Sequence, residues 1–401
     1  MREPRRLVTT VLPLVAVGLA LLAILGLSDR SKVPTAPGQP STAAQPSTQA
    51  VQPTDLLPPT YWESKFLEGW TGDQAERITA MSKSGDSWDQ YELAYWIDAN
   101  TAMYLATDKT QYLDRALSYA DNLVTSARVS RSFPTSQYQD GYLGWVTQQA
   151  EERGQEIPLY ESYCWRYIVR MLWDMQQDPR LLSQPSYRGQ FARLLSFAEV
   201  NIFDKWFDRG ADDNIYRSRT HMAAHWAYIG VYLAELTQDK PRRAKANQVV
   251  DNINRHLPNY KSSLRQQLRA NPRDRSAYYW SDLWGSDSRP GQDVSHGNGL
   301  IAYIVESHDQ GREWTDEDVS KFIGTLAVVL PARGPAAEYV DGTGRDNGWI
   351  ADGFVKLGRY DARLQKRLET YQPAADQYYA NMALNARLLA KKSVAAEVPQ
   401  G

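Results

Sequence analysis

The chain has 401 residues, 45 of them basic and 47 acidic, and its formal net charge of -2 excludes the large field that would draw it to nucleic acid or an acidic surface. Tyr (24) and Trp (13) far outnumber Phe (8), an aromatic set with apolar faces and polar edges that suits stacking on sugars as well as core packing. The lone cysteine, Cys164, excludes an intrachain disulfide and a Cys-rich metal cluster, so stability must come from packing.

Residues 7–27 carry no charge. At about 1.5 Å per residue such a helix crosses a hydrocarbon core of roughly 30 Å. Arg2, Arg5 and Arg6 precede it, so the positive-inside rule places residues 1–6 in the cytoplasm and everything after residue 27 in a periplasmic or extracellular space. The run ends in Gly26-Leu27-Ser28-Asp29-Arg30, a poor cleavage site, and a single-pass signal-anchor is expected rather than a cleaved signal. Residues 28–59 form a linker rich in Pro, Ser, Thr, Gln and Ala, with prolines at 34, 37, 40, 46, 53, 58 and 59. Its proline-rich part, fully extended, would reach roughly 80 Å, a tether suited to work on a wall or matrix polymer.

From about Thr60 apolar residues recur at i, i+3, i+4 and i+7, and few alternating runs argue for a sheet. Residues 60–392 are expected to be all-α, with a disordered tail at 393–401. A strong helix over 91–106 stops at Thr107-Asp108-Lys109 and restarts over 111–127, a helical hairpin. The pattern recurs: Tyr104-Leu105-Ala106, Asp108-Lys109 and Asp121-Asn122 are echoed by Tyr232-Leu233-Ala234, Asp239-Lys240 and Asp251-Asn252. Breaks at 108, 178, 239, 310 and 360 lie about 60 residues apart, too long for the roughly 34-residue helix pair of a tetratricopeptide array. A helix at 350–357 and a last one at about 374–390 bring the count to six hairpins. The expected fold is an (α/α)6 toroid whose long polar loops, 128–155 and 271–292, rim a site.

Three constellations carry the candidate chemistry. In Arg217-Ser-Arg219-Thr-His221-Met-Ala-Ala-His225-Trp226 the i, i+4 spacing puts both histidines on one helix face. The pair can hold a metal given a third ligand from elsewhere, can be two satisfied histidines in a wall, or can act on substrate beside Arg217, Arg219 and Trp226. No metal or other cofactor is assigned. In Gln292-Asp293-Val-Ser-His296-Gly-Asn298-Gly a helix start concentrates polar groups, more than capping by Asp293 alone explains. Glu338-Tyr-Val-Asp341-Gly-Thr-Gly-Arg345-Asp-Asn-Gly-Trp349 is either a substrate rim or a solvated turn, and it matches no phosphate loop. Aromatic helix starts at Trp88, Tyr91, Tyr160, Tyr163, Tyr278, Tyr279, Trp280 and Tyr378 complete an aromatic-rich mouth, each alone more often core than site, their repeated placement at inner-helix starts raising the functional reading.

The stretch from Arg219 to Lys240 resembles the segment of alginate-lyase-like and heparinase-like (α/α) toroids in which a His near an inner-helix start is followed by a Trp and a helix ending in a Thr/Gly-x-Asp turn. Here those elements are His221, Trp226 and Thr237-Gln238-Asp239, and Arg219-Thr220 replaces the Asn pair that commonly precedes the family's His. The resemblance implies β-elimination or C5-epimerisation at a uronic acid in a polysaccharide or oligosaccharide. It needs a group to neutralise the carboxylate (Arg217, Arg219 or Asn298), a base (His221 or His296) and an acid (Tyr163 or Tyr279). A rival reading is a glycoside hydrolase, which needs two carboxyl groups roughly 5 to 9.5 Å apart, here an inverting one using Asp293 with Glu338, Asp341 or Glu161. A third is a non-catalytic polysaccharide-binding protein of the cell envelope. In each the chain is expected to be a monomer, bound to the membrane through residues 7–27.

Overall fold

The computed structural model describes residues 51–397, apart from 333, 346–348, 372 and 374 and the side chains beyond 393. The expected membrane span, most of the linker and the last residues of the tail lie outside the described residues. Among the described residues no helix is long and apolar enough to cross a membrane.

Helices α1 (Pro59–Gly69), α2 (Gly72–Lys83), α3 (Asp89–Thr107), α4 (Thr110–Ser126), α5 (Pro158–Gln177) and α6 (Pro185–Phe197) make up the first half. Then come α7 (Thr220–Leu236), α8 (Lys240–Arg255), α9 (Val294–Asp309), α10 (Asp316–Val329), α11 (Gly353–Lys356), α12 (Ala362–Leu368) and α13 (Asp376–Glu397), with short single turns between them. The sequence decides which are inner. Helix α7 is buried on nearly every face, whereas α8 buries one stripe, Ala246, Val249, Val250 and Ile253, and leaves Arg and Lys outside. The turns are built locally: Asp108 takes a left-handed conformation (φ 59°) that closes α3, and Asp239 caps α8 by accepting from the Arg242 amide at 2.8 Å.

Helices α3, α5, α7, α9, α11 and α13 pack each against the next, and α13 returns to α3, closing a ring of six. The outer layer follows the chain, α4 on α3, α6 on α5, α8 on α7, α10 on α9 and α12 on α13, while α1 packs on α13 and α3. All five expected breaks fall at these turns. Helix α11 starts at Gly353, later than the 350 expected, and its first residue must be glycine, since a Cβ there would lie 2.1 Å from the Asn298 carbonyl oxygen and 2.6 Å from the Ala302 nitrogen. Helix α13 runs to Glu397, so the tail expected to be disordered is partly helical. The end of the expected linker is docked: Glu369 accepts from the Leu57 amide at 2.6 Å and Lys366 donates to the Asp55 carbonyl at 2.9 Å. The only ladders among the described residues are loop ribbons, Arg128–Val129 with Leu143–Gly144 and Arg269–Ala270 with Tyr278–Tyr279.

The interior of the ring is closed by charge. Asp98 of α3 accepts from Lys356 of α11 at 2.8 Å and from Gln377 and Asn381 of α13 at 2.8 and 3.0 Å. Arg166 of α5 pairs with Asp352 at 2.8 Å, and Arg170 of α5 with Glu306 of α9 at 3.1 Å. Tyr232 of α7 donates to Glu306 at 2.6 Å, while Asp174 and Arg359 flank this cluster. Every inner helix therefore contributes. Burial opposes ionisation of Asp98, but the charges of Lys356 and Arg170 more than offset it and hold the carboxyl below its usual range. Asp98→Asn would leave Lys356 buried without its counter-ion, and we expect a loss of about 3 to 5 kcal/mol, read as a lower urea midpoint with an unchanged slope.

Candidate active site

The inner helices all begin at one end of the ring, where the long loops also gather. At the start of α7, the Thr220 amide donates to the Asp282 carbonyl at 2.9 Å, and Arg219 and Leu283 form an antiparallel bridge. This backbone tie brings the Asp282 carboxylate to His221 Nδ1 (2.8 Å) and to Arg219 Nη1 (2.7 Å). At the start of α9, Asp293 accepts from the His296 amide at 2.9 Å and lies 2.9 to 3.0 Å from His296 Nδ1. The cap and the side-chain pair are the same residues.

Two His–Asp dyads thus face each other, with the His221 and His296 ring centroids 4.7 Å apart. In both, Nδ1 is committed to a carboxylate, which fixes the tautomer and leaves Nε2 without a protein partner among the described residues. The environments differ. His221 is buried, and desolvation outweighs the Asp282 hydrogen bond and charge, so its affinity for a proton falls below that of free imidazole. His296 is half exposed, and its hydrogen bond to Asp293 outweighs desolvation and raises its pKa. Burial pushes the Asp293 carboxyl up, but His296 more than offsets this and brings it down to about 2. Asp282 is likewise lowered, burial being outweighed by His221 and Arg219. The site thus sets an imidazole that gives up its proton readily beside one that holds its proton more tightly, each against a carboxylate whose pKa is lowered.

Beside the dyads stands an aromatic wall. Tyr91 of α3 stacks on Tyr163 of α5 at 4.4 Å and 11°, Trp88 stacks on Tyr91 at 5.3 Å, and Tyr95 meets both Tyr163 (5.8 Å) and Trp349 (6.3 Å). Tyr163 abuts His225 edge to face at 5.0 Å, and the Arg166 guanidinium lies 4.3 Å over the Tyr163 ring. His225 is enclosed, neither ring nitrogen has a partner among the described residues, and desolvation together with the Arg166 charge drives its pKa well down. Gly299 makes room for it: a Cβ there would lie 2.7 Å from His225 Nε2.

Tyr163, His221, His225, Asp293 and His296 are therefore brought together, with Arg217, Arg219 and Trp349 at the edges. Arg345 is exposed on the same loop as Trp349, and Glu338 adjoins Asp293 through its carbonyl, which accepts from the Val294 amide at 2.8 Å. Other expected residues serve the scaffold. Trp226 and Trp280 are fully enclosed in the core, so neither ring offers a face to a sugar. The Tyr279 hydroxyl is spent on the Asp287 and Ser288 carbonyls. The Asn298 amide joins the Val294, Ser295 and Trp349 carbonyls, and its oxygen accepts from the Phe354 amide, leaving nothing for substrate. Asp341 is buried against Arg289 and Thr343, and Glu161 against Lys205 and Trp206, so neither can pair with Asp293 as a second hydrolytic carboxyl. Asp282 went unassigned in the sequence, where its only mark was an acid amid Tyr and Trp. Among the described residues no group of three or more His, Cys, Asp or Glu is placed to hold a metal ion.

No protein-family model and no curated protein matches the chain. Solved structures to which it is similar include an inactive variant of an α-1,6-mannanase of Salegentibacter sp. HEL1_6 with α-1,6-mannotetrose (10% identity, 79% of this chain and 98% of that one, TM-score 0.42). A polysaccharide lyase is another (11% identity, 82% and 100%, TM-score 0.43).

The dyads have a direct spectroscopic consequence. In an NMR titration His296 should keep its proton to higher pH than free imidazole, and His221 should lose its proton at lower pH. Asp293→Asn should bring the His296 titration down. The Asp293–His296 contribution to stability is complete below the unfolded imidazole value and lost as pH rises through the raised folded one. It is lost at the acid end as Asp293 protonates toward about 2.

Proposed function

We propose that this mouth carries out proton transfer on a uronic-acid polysaccharide, abstracting the proton at C5 and eliminating the substituent at O4. The observation that supports this best is the facing pair of dyads, whose surroundings push two imidazoles 4.7 Å apart in opposite directions. His221, neutral with Nδ1–H directed at Asp282, presents the Nε2 lone pair as base. His296, held protonated by Asp293, presents Nε2–H as acid.

In the elimination the C5–H bond breaks toward His221 Nε2, a C4–C5 double bond forms, and the C4–O4 bond breaks as O4 takes the His296 proton. The same pair returning a proton to C5 from the opposite face would give epimerisation. Glycoside hydrolysis finds less support. It needs a carboxylic acid with a raised pKa, and the carboxyls of the two dyads, Asp282 and Asp293, are lowered. Tyr163 suits a wall better than an acid, because desolvation pushes its phenol well up and its ring lies between Tyr91 and the Arg166 guanidinium. In this reading residues 7–27 and the linker hold the domain outside the cytoplasm, within reach of an envelope polymer.

Incubation with uronate polymers should produce the ultraviolet absorbance of a double bond conjugated to the carboxylate. His221→Ala and His296→Ala should each lower the rate about 10² to 10⁴-fold with the fold intact by circular dichroism. The rate should fall at acid pH as His221 gains a proton and at alkaline pH as His296 loses one. New reducing ends without the absorbance would sink elimination in favour of hydrolysis.

A further inference from the structure

Of the arginines at and beneath the dyads, two are already paired. Arg166 is fully buried with its charge met by Asp352 at 2.8 Å, and Arg219 is bound to Asp282 at 2.7 Å. Arg217 has no ion pair among the described residues. Its guanidinium is held through Nη1 by the Asp213 carbonyl at 3.3 Å, and its own carbonyl accepts from Trp284 Nε1 at 2.7 Å. Around it stand Tyr91, Tyr138 and Tyr260, and the acid in its surroundings, Glu152, accepts from the Tyr160 hydroxyl at 2.7 Å. Desolvation lowers its pKa and the charge of Glu152 does not restore it, the reverse of Arg166, which ends above the usual range.

A half-buried cation left unpaired costs stability, and it is compensated when an anion arrives. Its backbone lies two residues before the Arg219–Leu283 bridge that anchors the His221 dyad, and its charge is felt at Tyr91 on the wall and at His225 behind the base. Its remaining donors suit a planar acceptor that takes two parallel hydrogen bonds. Asn298, the other neutralising candidate without a charge partner, is consumed by backbone groups.

We infer that Arg217 is the residue that selects the free carboxylate of the bound sugar, and that Arg219 serves instead to orient Asp282 and, through it, His221. The inference rests on the uronate reading above and adds to it the group that distinguishes acid from neutral polymer. Loss of Arg217 should weaken binding of the acid form alone. The catalytic dyads, which do not touch it, should keep their titration behaviour.

The test is calorimetric binding of a short hexuronate oligosaccharide and of its methyl ester to the whole chain in which His221→Ala prevents turnover. That chain should prefer the free acid, and adding Arg217→Gln should weaken the acid about tenfold or more while leaving the ester unchanged. Arg217→Lys should recover part of the preference, since it restores charge without the fork. Equal binding of acid and ester, or equal weakening of both by Arg217→Gln with the thermal midpoint preserved, overturns the inference and leaves the uronate reading standing. Binding of neither form overturns the uronate reading and this inference with it.

Discussion

Six helices arranged in a ring must fill the space along their common axis, and here that space is filled largely by ion pairs. Four carboxylates, Asp98, Asp174, Glu306 and Asp352, meet four cations, Arg166, Arg170, Lys356 and Arg359, with Tyr167, Tyr228 and Tyr232 among them. Desolvating eight charges is costly, and an apolar filling of the same volume could be as stable. What the ion pairs add is register. Asp98 must face Lys356 and Asn381, and Glu306 must face Arg170, so each inner helix is fixed in rotation and height relative to its neighbours.

The site inherits this order through Arg166. Its Nη2 lies against Asp352 and Tyr167, while its guanidinium face covers Tyr163, whose ring in turn meets Tyr91 and His225. The axial charges and the mouth are therefore one connected arrangement. That connection also sets the electrostatics of the dyads. Desolvation, reinforced by the Arg166 charge, keeps His225 neutral, so the protonatable imidazoles at the mouth reduce to two, and the exposed one with the carboxylate cap holds its proton the more tightly.

Much of this was legible because it is local. The hairpin breaks are Asp and Gly turns that the chain spells out, and helix α7 differs from α8 in the number of faces that are apolar. His221 and His296 could be placed at one mouth once both were seen to open inner helices. Contacts that depend on pairing across the ring were not legible. Arg166 and Asp352 are 186 residues apart, and a charge within an apolar helix carries no mark of its partner. Asp282 reaches His221 only because loop backbone pairs with Arg219, and the orientation of Trp226 toward the core is a matter of helix rotation, which a single sequence leaves open.

The chain as a whole is slightly acidic, with a formal net charge of -2, yet its mouth is not. Around the dyads Asp282 and Asp293 are met by Arg219, Arg217 and His296, so that while His296 holds its proton these five groups carry two negative charges against three positive. A local excess of positive charge on a near-neutral body favours an acidic polymer at the mouth without drawing it to the rest of the surface. The excess depends on His296. When His296 gives up its proton, as the proposed reaction requires, the mouth becomes balanced, its hold on the acidic product weakens, and regaining the proton restores the hold for the next chain. The group that supplies the acid thus also sets the charge that holds the substrate.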